Sequence, residues 1–517
     1  MASLHSWAGL LPGWVLFLVF LFGTVAFFQE EVSRWMRPEQ PAGLVTARAL
    51  DAADDLLRTR AAGARSWRLS LPAPRSGDGF KISWTPEGKG AGKGKARSDR
   101  RQVTLDPNTG REITVRETQG GRFLYRFHYE LHYLPSMWAR YIVGGAAMAM
   151  LVAILSGIVT HKKIFTDFFM LRFGKGQRSW LDAHNVTAVL ALPFFLMMTY
   201  TGLVALLFTL MPWAINASFS SQDAFHKQSS PRTPKVEASG DQKPLLPISQ
   251  LVARASAGLV GIVPGSITIG NPGDAASVVE IGAAGSRLGN RVPPVRLNGS
   301  SGEVLTASPP PRGGARASQR IMVDLHRGRF AGPALRWLYF LSGVGGAVMV
   351  ASGLVLWTVK RRAKLPDPAR PHFGFRLVER LNIGVIAGAP AGIAVYFLAN
   401  RLLPVEFAHR AEWEINSLFI AWGALFVWTL TRSAKRAWIE GLAICAAFYA
   451  LVPVVNALTT SRGMVPSLIA RDWIFVGFDG VMLATAATAA LAAWKVAAHE
   501  PKVAPRRKAR ELAEVAA

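Results

Sequence analysis

One cysteine stands in 517 residues, Cys445, inside an apolar run. A disulfide framework, a cysteine-ligated iron–sulfur cluster and a zinc ribbon are therefore excluded within one chain. Acidic residues are scarce too: 33 Asp and Glu stand against 59 Lys and Arg, for a formal charge of +26. On a soluble protein that excess would point to nucleic acid. Here the basic residues gather just beyond long hydrophobic stretches, where they set orientation across a bilayer, so no nucleic-acid partner is expected. HExxH and GxSxG are missing, which removes the common peptidase and hydrolase signatures. No GxGxxG follows a strand, and no stretch on the basic side is long enough for a Rossmann unit, so a built-in nicotinamide or flavin domain is excluded.

Long apolar runs are what the chain does have. Half of it is hydrophobic, with 16 Trp and 28 Phe, and a bilayer-crossing helix needs roughly 20 such residues. The expectation is a mainly α membrane protein of about eight transmembrane helices with two small α+β modules between them. Residues 1–29 hold the first span, at 7–28; MASLHSW lacks a positive n-region, so it reads as a retained helix. Residues 138–211 hold the second and third spans, 336–362 the fourth, and 380–495 four more. A basic tail, 496–517, closes the chain. Proline in the fifth and seventh spans, Pro390 and Pro453, is tolerable in membrane helices. The basic short loops fall on one side if eight spans alternate, which puts both termini in the cytoplasm.

The polar blocks, 30–137 and 212–335, then lie outside. Each carries an amphipathic helix, LVTARALDAADDLLRTR or ISQLVARASAGL, and strands around a turn ending in Gly, VTLDPNTGREI or PVRLNGSSGEVL. They read as copies of one module. Arg97, Arg100, Arg101, Arg312 and Arg316 would give these modules an affinity for an anionic ligand.

The spans repeat as well. His5 precedes Gly23-Thr24 by 18 residues, as His184 precedes Gly202, an interval of roughly 27 Å in a straight helix. YELHYLPSMWARY…SGIV parallels VDLHRGRFAGPALRWLY…SGLV, which matches His132 with His326. Ser156-Gly157 and Ser352-Gly353 complete a set of small pairs that allow close helix approach or room for a flat ligand. Six histidines thus flank the first four spans: His5, His128, His132, His161, His184 and His326. Any one alone would be an ordinary interfacial histidine. A depth-matched, repeated set points to iron held by neutral imidazoles, hence to b-type haem, two in number, one near each face. For the outer iron the expected pair is His132 with His326, with His128, four residues from His132, as the competitor. For the inner iron His5, His161 and His184 compete. Asp182 and Asp324 are candidates to orient the rings. No side chain is expected to do acid–base chemistry.

LHSWAGLLPGWVLFLVFLFGT, the stretch from FHYELHY to SGIVTHKK, SWLDAHN and VDLHR…SGLVLW resemble the PepSY-associated transmembrane-helix proteins, over about residues 1–362. The two outer blocks look like PepSY-type modules. The resemblance implies an iron-regulated inner-membrane protein of a Gram-negative bacterium, similar to ferric-siderophore reductases: an oxidoreductase carrying electrons across the membrane to a ferric siderophore in the periplasm. The donor would be quinol or a separate reductase. The alternative is a non-enzymatic sensor or peptidase regulator, since PepSY-type modules occur there too. The last four spans lie outside the resemblance.

Overall fold

The computed structural model describes residues 2–499 apart from 74–78, 87–99, 161–171, 173–176, 222, 226–235, 259–262, 286–287, 289–292, 306–313 and 369. The first helix, α1 (Ala2–Leu10), is bent by 59° from α2 (Gly13–Ala26). Pro12 stands at the break, where its missing N–H and its ring oppose a continuous helix. α3 (Gln29–Trp35) follows, then α4 (Ala47–Arg60) and strands β1 (Ala64–Ser70), β2 (Phe80–Pro86) and β3 (Arg101–Leu105). α5 (Gly120–Glu130) leads back to the first unbroken span, α6 (Ser136–Thr160).

The second half repeats this order. α7 (Gln177–Leu190) is bent by 69° from α8 (Leu192–Ala205), and Pro193 opens α8 just after the bend. Then come α9 (Ile248–Gly258), β4 (Pro264–Gly270), β5 (Val278–Ala283), β6 (Val295–Asn298), β7 (Val304–Leu305), α10 (Gly314–Arg327) and the long α11 (Pro333–Arg362). The remaining helices are α12 (Phe373–Ile386) with α13 (Gly388–Leu402), then α14 (Arg410–Leu430), α15 (Ala434–Thr459) and α16 (Trp473–Ala498). Among the described residues six helices, with α12 and α13 counted as one, are long and apolar enough to cross a membrane, or eight spans if each bent pair counts as one. The expected multi-pass, mainly α architecture is what the chain adopts.

The two polar blocks do not stay apart. Their strands form one antiparallel sheet in the order β3-β2-β1-β4-β5-β6-β7, with β1 against β4 at the centre. Alternation decides its faces. Trp67 and Leu69 of β1 pair with Ile269 and Ile267 of β4, and all four are buried. With Phe80, Ile82, Val279 and Ile281 they meet Leu50 and Leu57 of α4 and Ile248 and Leu251 of α9 in one core. The alternate positions, Arg68, Ser70, Ser266 and Thr268, make the other face polar. Asp54 of α4 ties the halves further: it accepts from Arg58 at 2.9 Å and from the Ile248 amide at 3.3 Å, at the start of α9.

The last four spans dock on both halves of the repeat through buried polar groups. Asn382 accepts from Trp14 Nε1 of α2 at 2.8 Å and donates to the Leu354 carbonyl of α11 at 3.1 Å. At the other end Arg401 lies 3.7 Å from the Trp35 ring centre and donates to Asn456 at 2.8 Å. Asp479 accepts from Trp35 Nε1 at 3.0 Å and Asn456 Nδ2 at 3.1 Å. Glu414, wholly buried, binds Arg410, Thr118 and, at 2.7 Å, Asn400. Buried charges need such partners, and here each has them.

Candidate functional site

Each half of the repeat carries two histidines, and each ring is held in the same way. His5 Nδ1 lies 3.0 Å from the Ala153 carbonyl of α6, and His184 Nδ1 lies 2.9 Å from the Met349 carbonyl of α11. His128 Nδ1 lies 2.6 Å from the Val19 carbonyl of α2, and His326 Nδ1 lies 3.0 Å from the Met198 carbonyl of α8. A carbonyl only accepts, so in all four rings Nδ1 carries the hydrogen and Nε2 the lone pair, the form an imidazole needs to ligate a metal.

The acceptor carbonyls share a sequence signature. Val19, Ala153, Met198 and Met349 each stand four residues before a glycine: Gly23, Gly157, Gly202 and Gly353. In a helix those positions lie one above the other on one face. A Cβ on Gly23 would come 2.5 Å from His128 Nδ1, and one on Gly202 would come 2.8 Å from His326 Cε1. On Gly353 it would stand 3.2 Å from the His184 ring, and on Gly157 3.4 Å from that of His5. At Gly23, Gly202 and Gly353 the missing side chain is what lets the imidazole reach its carbonyl, whereas at Gly157 a methyl would make ordinary contact with the ring.

The rings then meet across the repeat. His5 and His184 have ring centres 6.2 Å apart, and His128 and His326 have theirs 6.0 Å apart. A metal bridging two imidazole nitrogens at about 2 Å each separates the ring centres by about 6 Å. Among the described residues no group of three or more His, Cys, Asp and Glu could hold a metal. Two protein donors per site suit a metal whose other positions are filled by its own macrocycle, as iron in haem is.

The two pairs lie at different levels. Gly343 faces Thr24, Gly346 faces Phe20 and Leu354 faces Gly13, so α2 and α11 run antiparallel in step. Gly353, beside His184, is thus level with about Trp14. Gly23, beside His128, is nine residues further along α2, or about 14 Å at the helical rise. Between the levels Phe20 and Phe195 pack edge to face with centres 5.7 Å apart. The pair of His5 and His184 opens on a cavity of about 700 Å³, walled by Leu16, Met150, Phe195 and Leu354 and edged by Lys360 and Arg361. That is ample for a cofactor-sized ligand. His128 and His326 stand on α5 and α10, which are not themselves spans; burial lowers the pKa of both, that of His326 to about 3, and keeps them neutral.

The expected outer pairing is not the one the fold makes. α5 ends at Glu130, and Leu131 takes a left-handed conformation at φ 43°. That turn swings His132 off the helix face it would share with His128. His132 instead stacks on Phe419 of α14, centres 5.7 Å apart, and meets Phe123 edge-on. His128 is the partner of His326. One signal in the sequence separates them: His128 precedes Pro135 by seven residues, as His326 precedes Pro333. For the inner pair the repeat's pairing of His5 with His184 is the juxtaposition found, and His161 lies outside the described residues. Asp182 does not orient His184; it is bound by Arg172 at 2.8 Å and 2.9 Å, while the Met349 carbonyl orients the ring. Of the arginines suggested for anion steering, Arg100 stands exposed just before β3 and Arg101, also exposed, opens it; Arg97, Arg312 and the side chain of Arg316 lie outside the described residues.

A repeated bundle of apolar helices with paired histidines between its halves defines a multi-pass membrane protein. Residues 2–360 match the family described as the PepSY-associated TM region, and the chain belongs to that family. It is also similar to the uncharacterized protein PA4219 of Pseudomonas aeruginosa, 28% identical over 352 residues, which cover 64% of this chain and 85% of that protein. The last four spans lie beyond the family match.

Proposed function

We propose that the protein is a transmembrane electron carrier with two b-type haems, one between His5 and His184 and one between His128 and His326, and that it reduces a ferric siderophore on the sheet side of the membrane. The observation that carries this reading is the four-fold recurrence of one arrangement: imidazole Nδ1 on a helix carbonyl, with glycine one turn on, set in facing pairs. Haem supplies a one-electron Fe(III)/Fe(II) couple. The chain's own residues fix the ring planes, hold Nε2 unprotonated and exclude water with Phe20, Phe195 and Leu16. The two histidine pairs stand about 14 Å apart along the helix axis, taken from nine residues of helix, and groups held there would supply a one-electron relay across that depth. Siderophores hold Fe(III) with hard oxygen ligands and Fe(II) far less tightly, so one electron releases the metal.

The basic stretches 360–364 and 432–436 end α11 and open α15 on the side away from the sheet. The positive-inside rule makes that side cytoplasmic, so in a Gram-negative inner membrane the sheet stands in the periplasm. Electrons then enter from a cytoplasmic-side donor, quinol or a separate reductase, at the His5–His184 site. The test is a dithionite-minus-oxidised spectrum with a pyridine haemochrome count on the purified protein. Two haems per chain, reoxidised by added ferric siderophore, is the expected result. A haem-free chain would overturn the proposal and favour a sensor or regulator.

A further inference from the structure

The inner cavity has a rim as well as a pair of rings. Lys360 and Lys364 line it with Arg361, all at or just past the end of α11. Lys360 stands seven residues after Gly353, two helical turns on the same face, so the cation continues the line that starts beside His184. Arg361 is clamped between two indoles that also wall the cavity: its guanidinium carbon is 3.9 Å from the Trp357 ring centre and 5.5 Å from that of Trp7. The next residue behaves differently. Arg362 turns away to Glu379 at 2.6 Å and the Pro368 carbonyl at 3.0 Å. Among the described residues Lys360, Arg361 and Lys364 have no carboxylate partner.

Basic residues past a span need no explanation beyond topology. A cation clamped by two aromatic rings in the wall of an apolar cavity does, because the clamp costs side-chain entropy that water-exposed orientation signals need not spend. We propose that this rim is an anion subsite of the inner cavity, and that Arg361, Lys360 and Lys364 hold the carboxylates of the flat ligand bound between His5 and His184. Resting on the haem reading, this assigns the propionate end of the inner haem to the cytoplasmic side. Three cations there also favour the less positive, reduced state of the iron, so they raise its potential.

The experiment compares Lys360→Gln/Arg361→Gln/Lys364→Gln with Arg362→Gln, which removes a neighbouring charge outside the cavity. Haem release to excess apomyoglobin and a potentiometric titration are read on both and on wild type. In the triple variant one of the two haems should leave at least ten-fold faster and its midpoint should fall, while Arg362→Gln matches wild type. Arg361→Lys, which keeps the charge and loses the planar stack, should fall between them and guards against a folding defect. Two haems in wild type with unchanged release in the triple variant would overturn the rim and leave the haem reading standing. No haem in wild type would overturn both.

Discussion

At the scale of single residues, the glycines carry as much information as the histidines. Gly23→Ala would place a methyl 2.5 Å from His128 Nδ1, so the ring or the α2 backbone would have to shift. Overpacking of this kind costs about 1–3 kcal/mol. The expected outcome is a folded protein that loses the haem of the His128–His326 pair and keeps the other, read by haem count. Gly157→Ala, at 3.4 Å, should be the mildest of the four. The histidines sort in the same way. His128→Ala and His326→Ala should abolish one spectral component, His5→Ala and His184→Ala the other, and His132→Ala neither. Loss of a haem in His132→Ala with retention in His128→Ala would reverse the pairing. Acid adds a second check. His326 stays neutral in the fold down to about pH 3, whereas a free imidazole takes a proton near 6.5. The unfolded chain therefore binds more protons across that window. The stability contributed by the neutral ring is full above about 6.5 and falls as pH drops toward 3. In the haem-free protein, where Nε2 holds no iron, His326→Gln should flatten that part of a thermal-melt profile.

Residue spacing made most of this readable and misled at one point. The small-residue pairs and the repeat were visible as strings, because a side chain at Gly23 or Gly202 would meet the imidazole that touches the backbone there. His132 matched His326 by its neighbours in the string, LHY against LHR. Only the left-handed Leu131 shows that the helix has already ended there, and a β-branch-free Leu gives no hint that it will adopt φ 43°.

Among the elements, the union of the two polar blocks is the feature that strand patterns alone did not announce. Alternation defines which face of each strand is buried but not which strand lies beside it. The β1–β4 seam can be tested directly. Ser70 and Ser266 are register partners, and the native Cys445 is buried. Ser70→Cys with Ser266→Cys should form an intramolecular disulfide in an oxidising compartment, visible on a non-reducing gel. Ser70→Cys with Ile267→Cys, one residue out of register and on the opposite face, should not. Equal cross-linking of both would mean the seam is not formed in the membrane-inserted protein. The bends before α2 and α8 were likewise hidden. Both hydrophobic runs continue across Pro12 and Pro193, so hydropathy read each as one straight span.

For the whole molecule, the last four spans are the part whose role the repeat says nothing about. Their docking is polar and buried: Trp35, Arg401, Asn456 and Asp479 form one set, and Glu414, Arg410 and Asn400 another. Cutting the chain after residue 364 would strand Trp35, which stacks on Phe478 at 4.1 Å. Breaking one partner of a buried charged set costs about 3–5 kcal/mol. Asp479→Leu should therefore lower the melting temperature of the full chain clearly, and Asp479→Asn less, since an amide keeps an acceptor for Trp35. An unchanged melt in both would make the docking incidental. A hydropathy profile could not reveal this, because Asp479 and Arg401 look there like isolated blemishes in apolar helices.

Each of the four paired histidines, His5, His184, His128 and His326, leans on a carbonyl of its own half and faces a ring of the other half. Neither half owns both rings of a pair, so a ligand bound between the rings would act as a fastener between the two repeated halves. Mass action then applies inside the chain: a ligand that needs both halves strengthens their union by its own binding free energy. Starving the protein of that ligand should loosen the join between the halves before it loosens either one.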